Sequence, residues 1–158
     1  MRIYIIGPVG SGKSTLAKKI SNKHKIKHYE LDKVVWNDDI GIKRSKEEIN
    51  KLFNKIINKK FWIIEDVGRD IFKSAYNKTD IIYYIKISHI LLYTRIIKRW
   101  IKQKMDLESF NYKPTIKGLI QMIKWARNGL KKQNNQINEL KQYNLIILSN
   151  KDIKNNNY

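Results

Sequence analysis

The sequence contains no cysteine and few histidines, which are the residues that disulfide-linked and zinc-stabilised folds use. Disulfide frameworks, cysteine-ligated zinc sites and thiol catalysis are therefore excluded. Three histidines are present, and two of them, His24 and His28, lie four residues apart across the predicted end of a helix. We interpret these two as ordinary surface histidines and expect no histidine-based metal site.

Acidic residues are also scarce, with 14 Asp and Glu against 33 Lys and Arg, so the formal net charge is +19. A basic surface attracts phosphates, which keeps a nucleic-acid partner among the alternatives. However, lysine, asparagine and isoleucine dominate the composition, as is typical of a chain encoded by A- and T-rich codons. Solvated lysine faces therefore account for the charge as well as an anionic partner does.

Long hydrophobic runs are missing, since no apolar stretch approaches the length that spans a membrane. Met1 and Arg2 lead directly into a predicted strand, which leaves no room for a signal peptide. We therefore expect a cytoplasmic protein without membrane contact. A chain of 158 residues fits a single domain, 1–158, with one active site.

Short β-branched runs alternate with helical patterns along the whole chain. Strands are predicted at 2–6, 27–31, 61–65, 81–87 and 145–148, and the last residues are predicted to form a frayed polar tail. Helices are predicted at 13–24, for about 14 residues after the capping box at Ser45, in a short segment from Asp70, around an apolar stripe of Tyr93, Ile96, Ile97 and Trp100, and at 115–132. This alternation favours a doubly wound parallel sheet, with the most mobile loop at 110–114.

The chemistry of the chain is indicated by a glycine-rich segment between the first strand and the first helix. Glycines allow backbone N–H groups to converge on a polyphosphate, and the N-terminus of the following helix adds a favourable dipole. The lysine can reach the β- and γ-phosphates, and the serine hydroxyl can ligate Mg²⁺. The sequence therefore predicts that ATP and Mg²⁺ bind at the following residues: Gly7, Pro8, Val9, Gly10, Ser11, Gly12, Lys13, Ser14 and Thr15.

Carboxylates follow two of the predicted strands. Glu65 and Asp66 come directly after an apolar run, and we choose Glu65 as the partner of Ser14 in holding Mg²⁺, with an acidic turn as the alternative. Asp32 ends the second strand, where a carboxylate could orient or deprotonate an acceptor hydroxyl. A helix cap or turn explains Asp32 equally well.

Arginine is the scarce basic residue, so its few positions are informative. Arg95 and Arg99 lie four apart, so both can project from one helix face towards a transferring phosphoryl group. A solvated basic face is the alternative. Arg69 and Arg127 are weaker candidates for binding the acceptor, and Trp36 could stack on an acceptor ring or simply pack.

Taken together, these residues resemble the adenylate-kinase-like branch of P-loop kinases, and the layout is similar to the bacterial DNA topology modulation protein (FlaR-related) family over nearly the whole chain. The similarity lies in Leu31-Asp32 to Trp36, in Trp62-Ile63-Ile64-Glu65 and in Arg69, four residues beyond Glu65. Asp66-Val67-Gly68 departs from the nucleotide-kinase pattern Gly-Phe-Pro. The resemblance implies a three-layer P-loop NTPase fold with a five-stranded parallel sheet, helices on both faces and a small helical lid at about 95–130.

Three functions are compatible with these residues. The first is a kinase that transfers the γ-phosphoryl group of ATP to a small nucleoside- or nucleotide-like acceptor near Asp32, with Lys13, Arg95 and Arg99 as catalytic cations. The alternative is an ATP-dependent nucleic-acid-binding regulator. A GTPase is disfavoured, because Ile153 stands where the guanine-reading pattern Asn-Lys-x-Asp, begun at Asn150, needs its aspartate.

Overall fold

The structure is a computed structural model that describes residues 1–37, 42–107, 114–156 and 158. Its strands are β1 (Arg2–Ile6), β2 (His28–Glu30), β3 (Trp36–Asn37), β4 (Ile42–Lys43), β5 (Trp62–Asp66), β6 (Ile81–Ile85) and β7 (Leu145–Leu148). Five of them form one parallel sheet in the order β2-β5-β1-β6-β7, and β3 pairs with β4 as a short antiparallel ribbon.

Helices connect the strands of the parallel sheet. The helices are α1 (Lys13–His24), α2 (Leu31–Val35), α3 (Lys46–Ile57), a 3₁₀ helix (Asp70–Lys78), α4 (His89–Lys104), α5 (Ile116–Leu140) and α6 (Asn150–Asn155). Two of them, α4 and α5, follow one another between β6 and β7. Within the described ranges, none of them combines the length and the apolar character needed to cross a bilayer.

The sheet is covered on both faces, so the fold has three layers, as predicted. Side chains alternate along each strand, so neighbouring residues of β1 enter different cores. Ile3 and Ile5 pack in a cluster that includes Leu16 and Ile20 of α1. Tyr4 and Ile6 point the other way, into the larger cluster on the side of α3 and the 3₁₀ helix. The five-stranded parallel α/β fold with helices on both faces is confirmed.

The strand predictions hold to within two residues, whereas the buried faces of the later helices were predicted less well. Phe61 precedes β5 and is exposed, and so is Ile97, which we had placed in the apolar stripe of α4. The buried residues of α4 are Leu92 and Ile96. Helix α5 continues to Leu140, beyond the predicted end at 132, and its buried residues begin at Ala126.

Two further predictions concern the C-terminal tail and the loop before α5. The predicted frayed tail overlaps the end of α6, a helix that begins with a capping box between Ser149 and Asp152. The first residues of this helix, 150–153, are the segment that was compared with the guanine-reading pattern. The predicted mobile loop at 110–114 lies outside the described residues except for Pro114.

Candidate functional site

The glycine-rich segment joins β1 to α1 at the carboxyl edge of the sheet. Gly10 and Gly12 have φ values of +79° and +105°, which L side chains rarely adopt. At Gly7, a methyl group would lie 2.9 Å from Ser11 Oγ and 3.0 Å from the carbonyl oxygen of Ile85. Backbone conformation therefore requires glycine at positions 10 and 12, and lack of space requires it at position 7. The loop ends at Lys13, where α1 begins.

The ammonium group of Lys13 is held by the loop itself, since Nζ donates a 2.9 Å hydrogen bond to the carbonyl oxygen of Pro8. Burial lowers the pKa of Lys13, and the carboxylates of Glu65, Asp66 and Asp32 offset part of that effect. Lys13 therefore lies in the electrostatic field of residues that follow β2 and end β5.

A cavity of about 700 Å³ borders the outer side of the loop. Its wall includes Gly10, Gly12 and Lys13 and continues onto Ser14 and Thr15, whose side chains are exposed. Apolar side chains from three helices contribute as well: Ile96, Met122 and Ile153. Asn150 lines it too, and the other lining residues are basic: Lys18, Lys19, Arg95, Lys98, Arg99, Lys102 and Lys154. The cavity therefore offers apolar contacts together with a strongly positive rim, which suits a polyphosphate attached to a ring.

The two arginines of α4 that we selected both line this cavity. Arg95 Nη1 donates a 2.9 Å hydrogen bond to the carbonyl oxygen of Ser11, so it contacts the phosphate-binding loop directly. Partial burial lowers the pKa of Arg95. Arg99 lies one turn further along the helix. The structure thus brings Arg95, Arg99 and Lys13 to one cavity.

Arg69 links two carboxylates. Its guanidinium group forms ion pairs with Asp32 and with Asp66, the last residue of β5. Asp32 was predicted to end the second strand, but it is the second residue of α2 because β2 ends at Glu30. Burial lowers the pKa of Arg69, but the two carboxylates raise it by more. Asp32 and Arg69, which we selected as acceptor-binding residues, are therefore in direct contact, and the side chain of Asp32 is 66% exposed.

Asp66 and Glu65 have different surroundings, although they are adjacent. Asp66 Oδ2 accepts hydrogen bonds from the backbone N–H groups of Gly68 at 2.8 Å and Arg69 at 2.6 Å. Burial raises the pKa of Asp66, against the opposing effect of the Arg69 guanidinium group. Glu65 is buried, and in the part of the chain that the structure describes its Oε2 has no hydrogen-bond partner. Asp66 thus holds the turn after β5, and Glu65 keeps an oxygen that can accept a cation.

Trp36 and Arg127, the other predicted acceptor-binding residues, lie in different parts of the structure. Trp36 follows the last residue of α2, its backbone N–H donates to the carbonyl oxygen of Asp32, and the residue is 44% exposed. Arg44 fixes this segment by donating to the carbonyl oxygen of Lys33 at 2.7 Å. Arg127 is exposed on α5, and within the described ranges no hydrogen bond or ion pair joins it to Asp32 or Arg69.

Sequence reasoning missed the part that α5 plays at the site. A methyl group on Gly129 would lie 3.2 Å from Pro8 Cβ, so the helix passes close to the phosphate-binding loop. Gln133 bonds the backbone of Ile87, and Gln136 accepts from Tyr84 Oη at 2.9 Å and donates to the carbonyl oxygen of Val67 at 3.1 Å. The two glutamines lie in a polar run that is typical of a solvated helix face, so no local signal marked them.

One prediction about histidine is wrong. His28 is not a surface residue, because its side chain is only 10% exposed and its Nε2 lies 3.4 Å from Glu65 Oε1. It occupies the edge strand β2, opposite Ile63 of β5. The parallel pairing of these strands, which cannot be read from the spacing of the histidines, is the reason for its burial.

Curated relatives of the chain include two adenylate kinases at low identity. The enzyme of Ureaplasma parvum serovar 3 is 25% identical over 146 residues, which covers 75% of this chain and 68% of the relative. The enzyme of Ureaplasma urealyticum serovar 10 is 26% identical over 129 residues, which covers 66% of this chain and 61% of the relative. The chain thus spans roughly two thirds of the length of these relatives.

Solved structures of small-molecule kinases share the fold. The shikimate kinase from Bacteroides thetaiotaomicron superposes with a TM-score of 0.57 and 15% identity, covering 94% of this chain and 85% of the other. The deoxyadenosine kinase from M. mycoides with bound dATP gives a TM-score of 0.54 and 16% identity, covering 98% and 94%. At such identities the likeness shows the fold alone.

The family of the chain is shown by a match to one protein-family model. The matched segment, residues 2–93, begins at β1, contains the whole phosphate-binding loop and continues through β6 into α4. It covers well over half of the 158 residues. The chain therefore belongs to the NB-ARC domain family, whose members are P-loop NTPases.

Proposed function

We propose that the chain is a phosphotransferase that binds ATP in the cavity beside the phosphate-binding loop and transfers its γ-phosphoryl group to a small hydroxyl-bearing acceptor near Asp32. One observation carries the proposal: Lys13 lines the basic cavity that includes Arg95 and Arg99, and it also lies in the electrostatic field of Asp32, Asp66 and Arg69. Arg69 forms ion pairs with both Asp32 and Asp66. A donor bound in the cavity and an acceptor bound at Asp32 and Arg69 would meet at the Lys13 ammonium group.

The donor side suits the triphosphate of ATP. The backbone N–H groups at the start of α1 and the Lys13 ammonium group would bind the phosphates once the nucleotide replaces the Pro8 carbonyl as partner of Nζ. Arg95 and Arg99 would offset the charge that develops on the γ-phosphoryl oxygens. The apolar side chains of the cavity would contact the nucleotide base.

The acceptor side supplies a base and an anchor. Asp32 uses one carboxylate oxygen, Oδ1, to accept from Arg69, which leaves Oδ2 to accept the proton of an acceptor hydroxyl. The acceptor oxygen would attack the γ-phosphorus, and the bond from the γ-phosphorus to the β–γ bridging oxygen would break. The products are the phosphorylated acceptor and ADP. Arg69, Trp36 and Arg127 are the proposed acceptor-binding residues, of which Arg69 is the best placed.

The residues also fit a magnesium ion. The buried Oε2 of Glu65 has no hydrogen-bond partner, and the Ser14 hydroxyl is exposed at the start of α1. Ser14 and Glu65 would hold Mg²⁺ together with phosphate oxygens of ATP. When bound, the ion neutralises phosphate charge during transfer. We place this activity in the cytoplasm, as the sequence predicts.

The proposal is tested by screening nucleosides, nucleotides, sugars and small hydroxy acids for acceptor-dependent release of ADP by the purified chain. One acceptor class should stimulate ADP release, and the Lys13→Ala variant should lose the stimulation while keeping the circular dichroism spectrum of the parent. Stimulation that survives in Lys13→Ala would contradict the assignment of the P-loop as the donor site.

A nucleic-acid-binding regulator is the alternative class, and the names of the compared proteins give it no support. The same preparation distinguishes the two. DNA binding that survives physiological salt, with a log–log salt slope of about −0.9 for each phosphate neutralised, would favour the regulator. Weak DNA binding together with acceptor-dependent ADP release would favour the kinase.

A further inference from the structure

The pairing of β2 with β5 brings one histidine and two glutamates to the same face of the sheet. His28 lies opposite Ile63, and Glu30 lies opposite Glu65. Residues in register on neighbouring strands share a face, and side chains two apart along a strand also do. Ile63 packs in the cluster that contains residues of α1. His28, Glu30 and Glu65 therefore all lie on the side of the sheet that α1 covers.

The three side chains are close enough to share one ion. One ligand atom from each of His28, Glu30 and Glu65 lies within 4.8 Å of the other two. A divalent ion held about 2.1 Å from each of three ligands places those ligands roughly 3–4 Å apart. The Nε2 of His28 and the Oε1 of Glu65 already lie 3.4 Å apart.

Two of the three groups have a buried polar atom with no hydrogen-bond partner among the described residues. Glu65 is 5% exposed, and its Oε2 has no partner. The side chain of His28 is 10% exposed, and its Nε2 has no hydrogen-bond partner, although Glu65 is near. A buried polar atom without a partner costs about 1–3 kcal/mol. An ion between these atoms would satisfy both of them at once.

From this geometry we infer that His28, Glu30 and Glu65 bind a divalent transition-metal ion of the Zn²⁺ or Co²⁺ class. A neutral imidazole is a good ligand for these ions, whereas Mg²⁺ and Ca²⁺ prefer oxygen ligands alone. Two carboxylates balance the charge of a divalent ion. Three protein ligands also leave coordination positions for water or a bound molecule.

The site has a route to solvent. His28 and Glu30 line a surface cavity of about 460 Å³ at the edge strand, and its wall also includes residues of α3 and five basic side chains: Lys27, Lys33, Arg44, Lys55 and Lys59. Lys33 Nζ lies 3.5 Å from Glu30 Oε1, and it is 54% exposed, so an arriving ion can displace it from Glu30 at little cost. The buried charges that face Glu65 also include Lys13.

Glu65 is also the proposed magnesium ligand, so this inference rests on a residue shared with the proposed function and is tested without nucleotide and without Mg²⁺. The full chain is stripped of metal with EDTA, dialysed, and titrated with Zn²⁺ by calorimetry and with Co²⁺ by visible absorption. We expect one saturable equivalent, with cobalt absorption bands of a low-coordination site. His28→Gln and Glu30→Gln should each weaken Zn²⁺ binding on the order of 100-fold. Removing a residue that only supports a metal ligand has an effect of up to this size, so removing a ligand itself should have at least as large an effect.

Controls separate this site from other metal binding. His24→Gln removes an exposed histidine of α1 and should bind Zn²⁺ like the parent, as should Ser14→Ala, which alters only the proposed magnesium site. Zn²⁺ should raise the melting temperature of the parent but not of Glu30→Gln, a variant of a partly exposed side chain that we expect to fold. The inference is overturned if the parent shows no saturable binding or if His28→Gln or Glu30→Gln binds as tightly as the parent.

Discussion

Gln133 of α5 bonds both backbone groups of Ile87, 46 residues earlier, where the chain leaves β6. Its Oε1 accepts from the Ile87 N–H at 3.1 Å, and its Nε2 donates to the Ile87 carbonyl oxygen at 3.5 Å. Gln133 is 8% exposed, so water cannot easily replace it in either bond. One side chain thus fixes a long helix to the carboxyl edge of the sheet, three residues before Gln136 fixes the same helix to the turn after β5.

We predict that Gln133→Ala lowers the free energy of unfolding by about 1–3 kcal/mol, because it leaves a buried N–H and a buried carbonyl without partners. The matched control is Gln121→Ala on the exposed face of the same helix, which should change stability by no more than about 0.5 kcal/mol. Urea denaturation of both variants measures the difference. Equal stability of the two would mean that water satisfies Ile87 as well as Gln133 does.

The lowered pKa of Lys13 predicts an alkaline limit to ATP binding. Only the protonated amine attracts the phosphates, and burial makes Lys13 lose its proton at a lower pH than an exposed lysine does. ATP affinity should therefore decline with rising pH before exposed lysines titrate. Isothermal titration across the alkaline range measures this decline.

The matched variant for this profile is Lys13→Arg, whose guanidinium group does not deprotonate in that range. It should bind ATP more weakly than the parent but with an affinity that does not change with pH. A decline of the same steepness in Lys13→Arg would assign the titration to another group and contradict the prediction.

Asp32→Asn should preserve ATP binding and suppress phosphoryl transfer by about 10²–10⁴-fold, because the amide still accepts a hydrogen bond from Arg69 but cannot take a proton. The measurement is kcat with the acceptor found by screening, alongside the Kd for ATP. The control is Asp106→Asn. Asp106 is exposed and has a φ of +54°, a backbone conformation that asparagine also tolerates. Unchanged turnover in Asp32→Asn would mean that Asp32 only pairs with Arg69 at the start of α2 and does not accept a proton from the acceptor.

Arg95→Lys and Arg99→Lys should each lower kcat and kcat/KM together by about tenfold, equal to about 1.4 kcal/mol of transition-state stabilisation. Lysine keeps the positive charge but loses the planar fork that contacts phosphoryl oxygens. Steady-state kinetics of both variants decide the point, with Lys104→Arg at the end of α4 as a charge-conserving control. If only the KM for ATP rises, the pair is a binding clamp, and the predicted role as a closing lid is wrong.

The sequence predicted the parts of the protein whose signals are local. Strand β1, the glycine loop and α1 follow one another within 24 residues, and each carries its own pattern of β-branched, glycine or amphipathic residues. The sequence analysis selected Arg69 and Asp32 as acceptor-binding residues but did not predict the ion pair between them. Both follow predicted strands, and the carboxyl ends of parallel strands meet at one edge of the sheet.

The parts that the sequence did not predict depend on contacts between distant segments. Gln133 and Gln136 stand in a polar run, and only the position of Ile87 and of the turn after β5 makes them buried partners. Likewise, His28 is buried because of its register with Ile63. Ile97, in contrast, has the spacing of a core residue but lies exposed, because α4 presents Leu92 and Ile96 to α5 instead. Hydrophobic spacing alone does not fix the rotation of a helix about its axis.

The position of α5 has a consequence for how the protein matures on the ribosome. The phosphate-binding loop is translated first, but Gly129, Gln133 and Gln136, which pack against Pro8, Ile87 and the turn at Gly68, follow more than a hundred residues later. A nascent chain that ends before residue 129 carries the complete glycine motif without the helix that braces it. Nucleotide affinity should thus arise late in synthesis, when α5 leaves the exit tunnel, and a prematurely terminated chain would not sequester ATP.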